Sequence, residues 1–320
     1  MPTVVASEDQ MIDSERIATA LPDADVRTAR TETEADLIDA LDGAAAFVAN
    51  VSAPVTRSVL DACPDLRIVA RAGVGIDNVD VRAAADSGVV VTNTPDYCTD
   101  EVATHTVSLL LACVRNLRGY DRGVRAGGWG WHPDGPIHRL TGATLGLVSF
   151  GPIARGVVER LSGFDLDAVA YDPYVDADEM AAHGVEKVDF ETLLDRSRLV
   201  SVNAPLTEAT RNLIDADALD RLPDDAVLVN TGRGGVVDEE ALAAALDDGI
   251  VAGAGLDVFA SEPPTDSPLL DCERALLSPH AAWYSEEART ELHETVAANV
   301  RAALADETPP DRIDPDADWV

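Results

Sequence analysis

Lysine is nearly missing from this sequence: Lys187 is the only one in 320 residues, and arginine supplies the rest of the 24 basic side chains. Against them stand 58 acidic residues, giving a formal net charge of −34 at pH 7. Such a surface repels phosphate backbones instead of releasing counterions onto them, which argues against a nucleic-acid partner. Aromatic residues make up only 4% of the chain, so the close pair Trp129 and Trp131 carries weight. The four cysteines, Cys63, Cys98, Cys113 and Cys272, lie far apart without a CxxC pair. Neither a zinc site nor a disulfide framework is indicated, and buried free thiols are expected. No uncharged run reaches the length of a membrane span, and the opening MPTVVASEDQ lacks a basic segment followed by an apolar one. These absences predict a soluble, cytoplasmic protein with no membrane partner.

What is present is enough apolar material for a core, 46% of residues, spread along the whole chain. The charge therefore does not signal disorder, which would show long acidic blocks in place of apolar runs. Arginine in place of lysine on so acidic a chain predicts adaptation to concentrated salt, where screening over a few ångströms makes dense negative charge tolerable.

Short runs of Val, Ile and Ala alternate with amphipathic stretches, the pattern of strands and helices around parallel sheets. Strands are expected at 3–6, 45–49, 67–70 and 89–92, then at 144–148, 168–172, 199–203, 226–230, 252–257 and 275–278. The second run of six is the number a full dinucleotide-binding sheet wants. Between the runs a single helix is expected over Glu101 to Arg118, followed by a Gly- and Trp-rich loop, 119–142. A loop this long suggests an arm gripping a second copy of the chain; packing of both tryptophans on their own domain is the other reading. A further helix is expected from Ser285 to Ala305, able to return to the first domain.

LGLVSFGPIARGVVERL reads as a strand, a tight turn and a helix in the order that presents backbone amides to a pyrophosphate. Set against GxGxxG, its key positions are Ser149, Gly151 and Ala154, so only the middle glycine is kept. Asp172 ends the next strand, where a carboxylate bonds ribose hydroxyls and repels a 2′-phosphate, favouring NAD over NADP; a turn-forming role in YDPY is the alternative. Arg233, in NTGRGGVVDE directly after a strand, could hold a carboxylate through its planar fork, or form a surface ion pair. Asp257 and Glu262 flank DVFASEP, but on so acidic a chain a carboxylate is weak evidence. His280, in SPHAAWY after the last strand, says more, because only six histidines exist and ligands bind at this edge of a parallel sheet.

RAGVGIDNVD, LGLVSFGPIA, YDPY, NAPLTEATRNLI, NTGRGGVVDEEALAAAL, GLDVFASEPP and SPHAAWYSEEA stand in an order and spacing that resembles the NAD-dependent D-isomer-specific 2-hydroxyacid dehydrogenase family over nearly the whole chain. YDPY and AAWYSE are most similar to the branch that includes the C-terminal binding proteins. The resemblance implies an α/β protein of two doubly wound parallel-sheet domains. Residues 99–284 would form a Rossmann NAD domain, inserted into a flavodoxin-like substrate domain built from 1–98 and 285–320, with catalysis in the cleft between them. It implies Arg233, Glu262 and His280 as the catalytic set: Arg233 polarises the carbonyl of a 2-keto acid, His280 moves the proton and Glu262 orients His280. It further implies that Val74 and Gly75 offer amides to the substrate carboxylate. Asp257 would accept the nicotinamide amide, and Trp283 would face the substrate tail or help close the cleft. Cofactor contacts would come from Val74, Gly151, Pro152, Ile153, Asp172, Ala204, Pro205, Thr231, Gly232, Asp257 and Ala282, with no metal.

The chain departs from the family pattern at three places. Ser149 replaces the first fingerprint glycine, Thr104 stands where relatives carry an acidic residue, and Pro152 withholds one amide from phosphate. The expected activity is interconversion of a 2-keto acid and a D-2-hydroxy acid by a homodimer joined through 119–142. Two alternatives stand beside it: a D-3-phosphoglycerate dehydrogenase, and an NAD-sensing scaffold. Against the first, only Arg67, Arg71 and Arg82 lie near the carboxylate loop and no regulatory domain follows Val320. Against the second, little chain is left over for recruiting partners.

Overall fold

The computed structural model describes residues 1–131 and 136–317, in two compact units. One is formed by Met1–Cys98 together with Tyr284–Val320, the other by Thr99–Trp283.

The first unit is a five-stranded parallel sheet of β1 (Thr3–Ser7), β2 (Asp25–Ala29), β3 (Ala46–Ala49), β4 (Ile68–Arg71) and β5 (Val90–Thr92), in the order β2-β1-β3-β4-β5. That is the flavodoxin-like winding. Strands β3 and β4 are buried at every position, as parallel strands covered on both faces must be. β2, absent from the expected strands, reads DVRTA and is nowhere fully buried. It lies at the sheet edge, so it has no apolar run to give it away. The helix Glu286–Leu304, capped by Ser285, belongs to this unit and packs on β3 and β4.

The second unit holds seven parallel strands: β6 (Thr144–Val148), β7 (Asp167–Tyr171), β8 (Glu186–Lys187), β9 (Leu199–Val202), β10 (Val227–Asn230), β11 (Gly253–Leu256) and β12 (Ala275–Leu277). Their order, β12-β11-β10-β9-β6-β7-β8, is the Rossmann winding extended by one strand. Six were expected; the seventh, β8, is two residues long and too short to leave a pattern. The chain reverses direction across the sheet between β6 and β9, which puts a ligand crevice at their C-terminal ends.

The single helix expected over 101–118 is two. Thr99–Val114 ends before Asn116, whose left-handed φ of 46° breaks the ladder and whose side chain caps a second helix, Leu117–Arg125. Apolar periodicity runs through the break, so it is invisible to a pattern search, while asparagine is among the few residues that enter this conformation readily. The expected loop is thus helical to Arg125, and residues 132–135 of the proposed arm lie outside the described residues.

Candidate active site

The turn after β6 carries the fingerprint. Ser149 has φ 74°, the left-handed conformation that glycine reaches freely, so the departure from glycine is one of residue and not of backbone. Its hydroxyl donates to Asp172 Oδ2 at 3.1 Å, and the Phe150 amide donates to the same oxygen at 2.9 Å. Oδ1 takes the Tyr174 amide at 2.8 Å. Asp172 therefore does close the YDPY turn, yet three donors on a carboxylate leave it room for one more. Gly151 caps the helix Pro152–Leu161 without a side-chain hydrogen bond, and a Cβ built on it would meet nothing within 4 Å. Open space beside uncapped first-turn amides, those of Ile153 and Ala154, suits a pyrophosphate, and Pro152 at the first position has no amide to lose. The residues present fit a dinucleotide.

The loops after β9 and β10 meet closely. A Cβ on Gly232 would lie 3.0 Å from the Ala204 carbonyl, so only glycine sits there without a shift. The Pro205 carbonyl accepts the Thr210 hydroxyl at 2.6 Å, closing the following turn. Asn230, buried at the end of β10, bonds the Gly232 amide at 3.0 Å and the Arg233 carbonyl at 2.9 Å, fixing the backbone that carries the guanidinium. Arg233 itself is half-buried and donates to the Gly232 carbonyl at 2.8 Å.

Gly234 joins this loop to the next: a Cβ there would fall 1.9 Å from the Phe259 carbonyl carbon. The backbone carrying Arg233 and the backbone leading to Glu262 are thus in contact, with no side chain between. Glu262 accepts the Phe259 amide at 3.0 Å through Oε1 and His280 Nδ1 at 2.7 Å through Oε2. Burial pushes the Glu262 carboxyl up, but the His280 hydrogen bond and charge, the Phe259 amide and the charge of Arg233 together hold it below the ordinary glutamate value. With Nδ1 bound to a carboxylate, His280 presents Nε2 as the atom that can give or take a proton.

His280 has φ 51°, the left-handed region that residues with a Cβ seldom adopt, and Asp257 holds it there. The Asp257 carbonyl takes the His280 amide at 2.7 Å, while its carboxylate takes the Ala281 amide at 2.9 Å and the Ala282 amide at 2.8 Å. Asp257 is 1% exposed. Trp283 follows, half-buried, as the last residue of the unit. Val74 and Gly75 belong to the other unit, in the loop after β4; Val74 is exposed and its carbonyl accepts from Asn93 at 2.8 Å.

Residues that the sequence reading passed over complete the arrangement. His105 Nε2 lies 2.9 Å from Ser278 Oγ, which donates to Asp257 Oδ1 at 2.6 Å, and Thr106 Oγ1 lies 2.7 Å from Thr231 Oγ1. The scarcity of histidine that singled out His280 applied equally to His105. Thr104, the second departure, accepts from Arg160 at 2.9 Å.

A Rossmann sheet whose C-terminal edge joins an open phosphate turn to an arginine and a carboxylate-bound imidazole defines a nicotinamide-dependent oxidoreductase. Comparison with known proteins makes the class specific. The family described as D-isomer specific 2-hydroxyacid dehydrogenase, NAD binding domain, matches residues 107–282. Glyoxylate reductase from Korarchaeum cryptofilum is 43% identical over 272 residues, 84% of this chain and 82% of that one. D-3-phosphoglycerate dehydrogenase from Mycobacterium tuberculosis is 41% identical over 277 residues, 87% of this chain, which spans about half of that protein at 52%. Among solved structures, D-lactate dehydrogenase from Aquifex aeolicus, complexed with NAD and lactic acid, superposes with a TM-score of 0.88 at 25% identity, covering 95% of this chain and 96% of that one. The chain belongs to the D-isomer specific 2-hydroxyacid dehydrogenases.

Proposed function

We propose that this protein interconverts a small 2-keto acid and the corresponding D-2-hydroxy acid, with His280 as acid and base. The observation that carries this reading is the 2.7 Å pair of His280 and Glu262, on a loop packed by Gly234 against the one that bears Arg233. When bound, NADH supplies the hydride that adds to the carbonyl carbon. Arg233 holds the substrate carboxylate and carbonyl oxygen, stabilising the negative charge that develops there. His280 Nε2–H gives its proton to that oxygen as the alcohol forms, and takes it back in the oxidative direction. Glu262, kept ionised, stabilises the imidazolium and fixes its ring. Asp257 Oδ2, which accepts the Ala282 amide at 2.8 Å, has capacity left for the nicotinamide amide. Asp172 favours NAD, and the amides of Val74 and Gly75 in the first unit are assigned to the substrate carboxylate.

A small acid is favoured over a phosphorylated one. The Arg67 guanidinium near that loop is committed to the Ala303 and Leu304 carbonyls and Asp306, and Arg71 turns its own onto the Ala72 carbonyl. NADH oxidation measured with glyoxylate, hydroxypyruvate, phenylpyruvate, branched 2-keto acids and phosphohydroxypyruvate tests the assignment. NADH binding without turnover of any acid would overturn it.

We assign the protein to the cytoplasm as a homodimer. Among the described residues no helix is long and apolar enough to cross a membrane, and the cysteines are free, Cys113 with its thiol pushed up to about 12 by burial. The helix Leu117–Arg125 buries none of its residues, and Trp129 and Trp131 are 91% and 74% exposed, apolar surface that a second copy would cover. Light scattering of Trp129→Ala/Trp131→Ala should show monomer where the parent is dimer. The −34 charge assigns the enzyme to concentrated salt, which screens both self-repulsion and the approach of anionic ligands. Equal stability in dilute buffer and molar potassium chloride would sink that assignment.

A further inference from the structure

Two neighbouring residues of the helix Thr99–Val114 each reach one catalytic loop. The Thr106 hydroxyl spends its only proton on the Val102 carbonyl at 2.7 Å, so in the 2.7 Å contact with Thr231 it is Thr231 that donates. The Ser278 hydroxyl gives its proton to Asp257 Oδ1 at 2.6 Å, so His105 Nε2 at 2.9 Å must be the donor to Ser278. Thr231 stands two residues before Arg233, and Ser278 two residues before His280. Both loops are therefore hung from consecutive helix positions through a hydroxyl at the same offset from the reacting side chain.

The His105 arm ends on a buried charge. Among the described residues His105 is the only cation-capable side chain placed within ion-pair distance of Asp257, with Nε2 at 3.7 Å from Oδ1. Asp257 in turn holds the amides of residues 280–282 through its carbonyl and carboxylate. Simple packing would not need a polar chain of three side chains ending on a carboxylate that is 1% exposed.

We propose that His105 is a positioning residue for this reaction. Its Nε2–H orients Ser278 Oγ onto Asp257 Oδ1, which sets the backbone of His280 and leaves Oδ2 directed to the nicotinamide amide. The inference rests on the role given to Asp257 and His280 above, and its test has a readout that does not depend on turnover. In the full chain, NADH binding is followed by fluorescence and NADH oxidation with glyoxylate. His105→Leu and Ser278→Ala should each weaken NADH binding and lower kcat about tenfold, the scale of a lost hydrogen bond to a charged group. KM for glyoxylate should stay within about twofold, because Arg233 hangs from the other arm. The double variant should be no worse than Ser278→Ala alone, as for two links of one chain. His105→Gln, which keeps a donor at the same reach, should recover most of both values, and His105→Asn, too short, should not; this pair decides the matter if His105→Leu fails to fold. Unchanged binding and kcat in His105→Leu, effects that multiply in the double variant, or glutamine no better than asparagine would each overturn the proposal. A parent protein that binds NADH but turns over no acid would overturn the function proposed above, while the binding measurements would still judge His105.

Discussion

The two halves of the C-terminal edge in the second unit follow opposite plans. After β6 the chain leaves room: a Cβ on Gly151 would touch nothing within 4 Å, and no side chain caps the helix that follows. After β10, β11 and β12 it leaves none. A Cβ on Gly234 would strike the Phe259 backbone at 1.9 Å, Asp257 carries three donors on its carboxylate, and Glu262 carries two. A region that receives a polyanion needs open space and spare amides. One that moves a proton needs side chains fixed to a fraction of an ångström, because rates fall steeply with misplacement.

The sharpest way to break the contrast is to remove His280, the proposed proton carrier, alone. His280→Gln should lower kcat by about 10²–10⁴-fold, the span of general acid–base catalysis, and leave NADH affinity unchanged in a fluorescence titration. Retained turnover would dismiss His280 from its role. Next come the two glycines. Gly234→Ala must move the Arg233 loop against the Glu262 loop, with an expected stability loss of about 1–3 kcal/mol and a fall in kcat of roughly 10²-fold. Gly151→Ala should leave the melting temperature unchanged and weaken NADH binding only. Equal melting temperatures for the two variants would mean that the closed half is not closed.

The pH dependence sharpens the same half. Glu262 is held below its ordinary value of 4.5 in the folded protein. Its contribution to stability is therefore complete above the unfolded value and is lost as pH falls through the lower folded value. In Glu262→Gln the parent's loss of stability on acidification through that window should shrink, and kcat should fall about tenfold as the imidazolium loses its charged partner. Denaturant titrations from pH 6 downward check this, and identical acid profiles for parent and variant would show that folding does not hold Glu262 below its ordinary value.

Legibility in the sequence followed burial. Strands β3, β4, β9 and β10 are buried throughout, so they appear as plain apolar runs, while the edge strand β2 and the two-residue β8 carry no such signal. The helix break at Asn116 escaped because one backbone angle, not a change of periodicity, makes it. In the site, Gly232 came only through the family resemblance, while His280 stood out as a scarce residue at a strand end. His105 and Ser278 did not, since 173 positions separate them and only the fold reveals that they touch. Nothing in the sequence could say that Gly234 is pressed against the Glu262 loop.

The smallest expected effect lies at Ser149, where the open half contains one closed detail. A left-handed conformation costs a residue with a Cβ about 1–2 kcal/mol relative to glycine. Against that, the Ser149 hydroxyl on Asp172 at 3.1 Å is worth about 0.5–1.5 kcal/mol, and glycine would lose more chain entropy on folding, roughly 0.5–1 kcal/mol. Ser149→Gly relieves the strain while forfeiting both compensations, so stability should change by less than about 0.5 kcal/mol. Ser149→Ala keeps the strain and loses the bond, and should cost about 1 kcal/mol in denaturant unfolding. Because the hydroxyl also occupies an acceptor position on Asp172, both variants free a site for a ribose hydroxyl, and NADH affinity should hold or rise in each. A Ser149→Gly protein as destabilised as Ser149→Ala would show that the hydrogen bond, and not the backbone strain, governs this turn.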